Sequence, residues 1–442
     1  MTLKTIPNTK DLRGAPLTGA NSKSIDHYET AICQLNCYIG DPVGTTNQAL
    51  VESPEFAMGY VLKAYLLLSG MERSAIPAAT ECASALGNLH LNEREQMHSA
   101  VVTSLLGGAF RHATELLEDI LIRDPHDILA LQISHLLDFY RGDSRSLRDR
   151  IARVLPEWRA DMPGYHALLG MYAFGLEENG DYGRAEAVGR EAVGLEARDG
   201  WAHHAVAHVM EMQGRYEDGA IWLTSGQSKW APESFFAVHN WWHLALFLLE
   251  SEKTESVLEL YDGPIRGGQS NMVLDMVDAS AMLWRLHCRG IDVGDRWQAI
   301  ADQWQPLIED RFYSFNDAHA MMALLGAGRK TEANQLLSTM FITANEQTDN
   351  GIMTREVSIP LSQGFLAFQE GKYQIALEFL RPVRNIAHRF GGSHAQRDLI
   401  DLTMLAAASL GGKQSQLRAL ANERLMLKPR SPLAKRYRES AN

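Results

Sequence analysis

A chain of 442 residues exceeds the usual size of one compact core, so two or three domains or an elongated repeat array are expected. Its 45% hydrophobic and 22% charged residues belong to an ordered, water-soluble protein and exclude a long disordered tail. The formal net charge of -12 argues against nucleic acid as a partner, since a diffuse acidic balance repels a phosphate backbone.

Residues 1–24 are polar and turn-rich, with Pro7, Gly14, Pro16 and Gly19, and are expected to lie on the surface as an N-terminal arm. The N-terminus carries no apolar run of signal-peptide length, and no stretch approaches the roughly 18 apolar residues of a membrane span. Neither secretion nor a membrane partner is therefore expected. Cys33, Cys37, Cys82 and Cys288 form no CxxC pair, which suggests reduced thiols in the cytoplasm.

Beyond the arm the chain offers amphipathic segments of about 12 to 18 residues broken by Gly, Pro, Asp and Asn, and no convincing strand pairs. The fold is expected to be all-α. Segments near 26–40, 54–70, 74–88 and 92–107 read as helices of an irregular helical cap spanning 25–107.

From residue 108 a pattern recurs: glycine, then an aromatic or polar residue two positions on, then a small residue five positions on. It appears at Gly108 to Ala113, Gly180 to Ala185, Gly214 to Gly219, Gly328 to Ala333 and Gly371 to Ala376, with a weaker copy at Gly142. The early glycines are 34, 38 and 34 residues apart, the period of tetratricopeptide repeats. Glycine permits the tight turn that ends a first helix, the aromatic ring fills the groove, and the small residue lets the second helix approach. Asp124-Pro125, Asp199-Gly200 and Lys428-Pro429 would close second helices.

One helical hairpin cannot bury its apolar face alone, so the units must stack. The expected architecture is a tetratricopeptide-like α-solenoid, a right-handed superhelix of hairpins over 108–413, with the first helices lining its concave side. Asp262 to Asn271 reads as a linker able to divide two lobes. Residues 414–442 would form a C-terminal capping helix and basic tail. Arg424, Lys428, Arg430, Lys435, Arg436 and Arg438 in that tail read as a solvated helix end or a subunit contact.

Five of the 16 histidines fall between Trp201 and Leu246. His204, His208 and Glu211 share one face of a helix at i, i+4 and i+7, and His239 and His243 repeat the i, i+4 spacing on the next first helix. Taken singly, each histidine is read as a structural group satisfied by its neighbours. Clustered on two successive inner faces, they point to a pocket. Imidazole is a common transition-metal ligand and a carboxylate can complete the set, so His204, His208, His239 and His243 are candidate ligands for a divalent transition metal. No H-E-x-x-H signature is present.

Asp278, Arg285, Asp317, His319, His394, Arg397 and Asp398 lie at comparable places on later first helices. Most sit in the first two turns, where helix N-termini favour an anionic group. The bland reading pairs each aspartate with Arg285 or Arg397.

The strings WAHHAVAHVMEMQGR, HNWWHLAL, ASAMLWRL, DAHAMM and GSHAQRDL together resemble the tetratricopeptide repeat protein 38 family, also grouped with StaR-like proteins. The resemblance spans nearly the whole chain and implies an all-helical tetratricopeptide-like fold without a settled activity. There is no phosphate-binding Gly-rich loop followed by Lys-Ser or Lys-Thr, and no G-x-S-x-G elbow.

Two functions follow from these residues. In the first, the concave pocket binds a peptide segment or small molecule in an adaptor or accessory role. In the second, the protein is an enzyme in which the histidines hold a metal or move protons, Arg285 and Arg397 orient a small anionic substrate, and Asp317 and Asp398 orient a neighbouring ring or guanidinium. A third arrangement, a polar network fixing the stacking register with function at a homodimer interface, is also compatible with the pattern.

Overall fold

The structure, a computed structural model, describes residues 9–441. The chain forms two compact units that interleave in sequence. The first comprises Met1–Phe139, Ser144–Val206 and Ser228–Ala237; the second comprises Tyr140–Asp143, Ala207–Gln227 and Val238–Asn442. Apart from a two-residue antiparallel pair, Thr9–Lys10 with Pro16–Leu17, the regular structure within the described residues is helical. None of the helices is long and apolar enough to cross a membrane.

Residues 1–8 of the expected arm lie outside the described residues. The remainder is pinned to the first unit. The Asp11 carboxylate accepts from the backbone N–H groups of Arg13 and Ala15, each at 2.9 Å, and Arg13 makes a bidentate pair with Glu29 on the helix Ser22–Cys37. Of the four helical segments expected before residue 108, all are present, as Ser22–Cys37, Ala57–Leu68, Ile76–Leu86 and Glu93–Leu106. A fifth, Pro42–Glu52, was not among the expected segments, and Asp41, Pro42 and Gly44 at its start are residue types common in turns. In fact Pro42 occupies the first helical position, where its missing N–H costs nothing, and Asp41 caps the Gly44 N–H at 2.8 Å.

From there on the chain is a series of helical hairpins, and the glycine pattern marks their turns. Gly108, Gly180, Gly214, Gly328 and Gly371 all take left-handed φ between 66° and 81°, as does Gly142 at 62°. At Gly214 the glycine N–H donates to Glu211 O at 3.0 Å and the Arg215 N–H to Met210 O at 2.8 Å, so the last carbonyls of the first helix are satisfied. The small residue of the pattern is buried each time it is alanine: Ala113, Ala185, Ala333 and Ala376 are at most 1% exposed. At Gly219 a side chain would collide with Phe247, whose Cζ stands 2.3 Å from the position a Cβ would take. One turn has the same hydrogen bonds without glycine: Glu252 takes φ of 61° between the helices Ala237–Glu250 and Thr254–Leu260. The fold is thus all-α and tetratricopeptide-like.

The second unit departs from an open groove. Its chain returns on itself: Trp284 donates from Nε1 to Thr403 Oγ1 at 3.0 Å, and Arg285 donates from Nη2 to Ala395 O at 2.5 Å. The helix Val273–Cys288 thereby packs on the helix His394–Leu410, and Ser431 reaches Glu250 at 3.0 Å. Fourteen of the sixteen residues of Val273–Cys288 and twelve of the thirteen of Ser314–Gly326 are buried, so these first helices form an interior. Asp262 to Asn271 lies wholly within this unit and not at its boundary.

Candidate functional site

In the second unit the helix Ala237–Glu250 brings His239 and His243 to one face, and the end of the helix Gly200–Met212 brings His208 and Glu211 beside them. The rings of His208 and His243 have centroids 4.5 Å apart, and those of His239 and His243 are 4.9 Å apart. His208, His239 and His243 each offer a nitrogen within 4.8 Å of those of the other two. Behind them stand carboxylates: Asp278 Oδ2 lies 2.7 Å from His239 Nδ1, and Glu211 Oε2 lies 3.3 Å from His243 Nδ1. Burial, then the proximity of His243, holds His208 well below the usual imidazole pKa. His243 is likewise held down by burial and by His239, so both rings are neutral near pH 7. His204, one turn earlier, belongs to the first unit, where it is buried against Trp201, Phe174 and Phe236.

A second group surrounds the C-terminal helices. Arg424 on the helix Gln414–Leu427 makes a bidentate pair with Asp398 at 2.6 and 3.0 Å. Lys428 reaches Glu211 at 3.3 Å and Asp398 at 3.6 Å, and Arg289 pairs with Glu250. Burial pushes the Asp398 carboxyl up, but Arg424 and Lys428 outweigh it and hold the group below the ordinary carboxylate range. Between Glu211, Glu250, Arg285, Arg289, Asp398 and Lys428 lies a void of about 10 Å³, the room one water needs.

On the other side of Asp398 and Lys428 opens a cleft of about 160 Å³, lined by Arg384, His394, Arg397, Asp401 and Arg424 together with apolar groups such as Met212 and Leu405. Its walls carry four cationic side chains, Arg384, Arg397, Arg424 and Lys428, against the two carboxylates Asp398 and Asp401. The helix N-terminus at His394 is already occupied: Ser393 and Gln396 cap each other's backbone N–H groups at 3.2 and 3.0 Å.

The structure therefore brings His208, Glu211, His239, His243 and Asp278 into one cluster, and His394, Arg397 and Asp398 into the wall of one cleft. Asp278 pairs with a histidine and Asp398 with Arg424, not with Arg285 or Arg397. Arg285 is spent on structure: it stacks over Trp242 at 5.1 Å and holds the start of the helix His394–Leu410. Asp317 and His319 stand apart from both groups. His319 donates from Nδ1 to Phe315 O at 2.8 Å, and burial pushes the Asp317 carboxyl up to about 7.

Sequence reasoning missed Arg384, Asp401, Glu250, Arg289, Arg424 and Lys428. Arg424 and Lys428 were grouped with a solvated tail, yet each is only 5% exposed. The signal was present: Leu417, Ala421, Arg424 and Lys428 fall at i, i+4, i+7 and i+11, along the buried stripe of their helix.

The hairpins, their glycine turns and this all-helical frame define a tetratricopeptide-like helical-repeat protein. No family model matches the chain. Similar solved structures include the human IFIT1 dimer with m7Gppp-AAAA, at 13% identity over 99% of this chain and 96% of that one, with a TM-score of 0.42. The human IFIT1 dimer with PPP-AAAA matches at 13% identity over 96% and 94% of the two chains, with a TM-score of 0.41. A structure of Naa15/Naa10 bound to HypK-THB matches at 12% identity over 95% of this chain and 67% of that one, with a TM-score of 0.25. The expectation of no nucleic-acid partner drawn from net charge is contradicted by these likenesses, whose IFIT1 structures hold m7Gppp-AAAA and PPP-AAAA. The physical reason is that a chain-wide charge does not report the potential inside a cleft, which is set by the groups lining it.

Proposed function

We propose that this is a helical-repeat binding protein whose second unit takes the anionic group of a small molecule or a peptide terminus into the cleft beside His394. The observation that carries the reading is the excess of cations over carboxylates on the walls of a cleft that is otherwise apolar. Arg397 supplies a planar donor suited to a carboxylate or phosphate, while Arg384 is held by Asp401 and Glu423 at 2.8 and 2.6 Å, and Arg424 and Lys428 are held in place by Asp398. Apolar walls from Met212 and Leu405 would take the body of the ligand. The free cysteines support the cytoplasm as its place of action.

Thermal-shift and calorimetric screening with phosphorylated and carboxylated small molecules, and with peptides bearing a free C-terminal carboxylate, tests the proposal. A binder should lose at least about tenfold in affinity on Arg397→Ala, the loss of one charge-assisted contact. Binding that ignores both Arg397→Ala and Arg384→Ala would overturn it. The enzymatic reading is favoured by the imidazole cluster, and turnover of a bound anion that disappears on His239→Ala would establish it.

A further inference from the structure

We infer that His208, His239 and His243 bind one divalent transition-metal ion of the zinc class, with Asp278 holding the His239 ring from behind. This rests on the imidazole cluster and not on the anion cleft.

Three features of the geometry point to it. First, the ligand atoms converge: three nitrogens from two helices lie within 4.8 Å of one another. Donors bonded to one tetrahedral ion at about 2.0–2.1 Å stand roughly 3.4 Å apart, so small side-chain rotations close the set. Second, Asp278 Oδ2 lies at hydrogen-bond distance, 2.7 Å, from His239 Nδ1. A carboxylate that accepts from one ring nitrogen fixes the tautomer and leaves Nε2 as the metal-binding lone pair. Third, the donors are of one kind, buried or nearly so, and the His239 and His243 rings lie against Trp242. Imidazole donors select ions of the zinc, copper, nickel and iron group over magnesium or calcium.

The probe is Co²⁺, added to chelator-treated protein prepared without a histidine tag. The expected result is a visible d–d absorption that saturates at a single equivalent and is displaced by Zn²⁺. His239→Ala, at the least buried of the three positions, should abolish the band. Asp278→Asn should weaken Co²⁺ affinity by about 10–100-fold while circular dichroism stays unchanged. His112→Ala, at an exposed position beside Glu115, should leave the titration as in the parent. Absence of a saturable band in folded protein, or a band that survives His239→Ala, would overturn the site. If His239→Ala does not fold, the Asp278→Asn titration decides: unchanged affinity overturns the inference. Failure of the cleft to bind anions would leave the Co²⁺ result standing, and the reverse.

Discussion

Arg424 and Arg296 show how differently two arginine–carboxylate pairs behave. Arg424 is buried against Asp398, and truncation to alanine would strand that carboxylate, so Arg424→Ala should cost about 3–5 kcal/mol in denaturant unfolding. Arg296 pairs with Asp262 at the surface, and Arg296→Ala should cost less than about 1 kcal/mol. Asp317 makes a prediction about pH. Its carboxyl is raised to about 7 by burial and then by Asp310, so the folded state holds a proton there that the unfolded state releases near 4. Its contribution to stability is greatest below about pH 4, falls by up to about 1.4 kcal/mol per pH unit as pH rises toward 7, and is flat above. Asp317→Asn should remove that slope and be the more stable protein at pH 8, as measured by urea unfolding across the range. A variant with the parental slope would count against this account. The histidine spacings at 204/208 and 239/243 were legible in the sequence because i, i+4 places groups on one face whatever the tertiary fold. Which acid stands behind which ring was not, since Asp278 meets His239 across 39 residues.

Turns were the most legible elements, because a left-handed residue after a helix demands glycine for a local steric reason. The turn at Glu252 escaped notice because it lacks that residue. Glycine there should relieve strain: Glu252→Gly, placed in an Arg436→Ala background to remove the exposed pair between these residues, should stabilise by roughly 0.5–1 kcal/mol. The converse change at Gly142 is harsher. Besides the positive φ, a Cβ there would fall 1.8 Å from His388 O, so Gly142→Ala should cost more than the same change at Gly328, which has open space around it. Thermal melts of the two variants test the order. Helix Pro42–Glu52 was illegible for the opposite reason: residues that usually end structure were placed at the one helical position that tolerates them.

At the scale of the molecule, the repeat period announced stacking hairpins but not the closure of the second unit. Closure depends on pairs remote in sequence, such as Lys428 with Glu211 and Trp284 with Thr403, and a nearest-neighbour repeat carries no record of them. Ending the chain after Leu427 would remove Lys428 and Ser431, taking the ion pair from Glu211 and leaving Glu250 only its arginine partners. Amide exchange in Ala237–Glu250 should then rise toward that of a frayed helix, while an unchanged exchange pattern would show that the returning segment is dispensable. The interleaving of the two units has a consequence for how the protein is made. The first unit is completed only by Ser228–Ala237, which leaves the ribosome after Ala207–Gln227 of the second has already emerged, and Tyr140–Asp143 of the second emerges amid the first. No nascent length therefore contains one finished unit and nothing of the other, so a translating chain must hold apolar helices of the first unit unfinished past its midpoint.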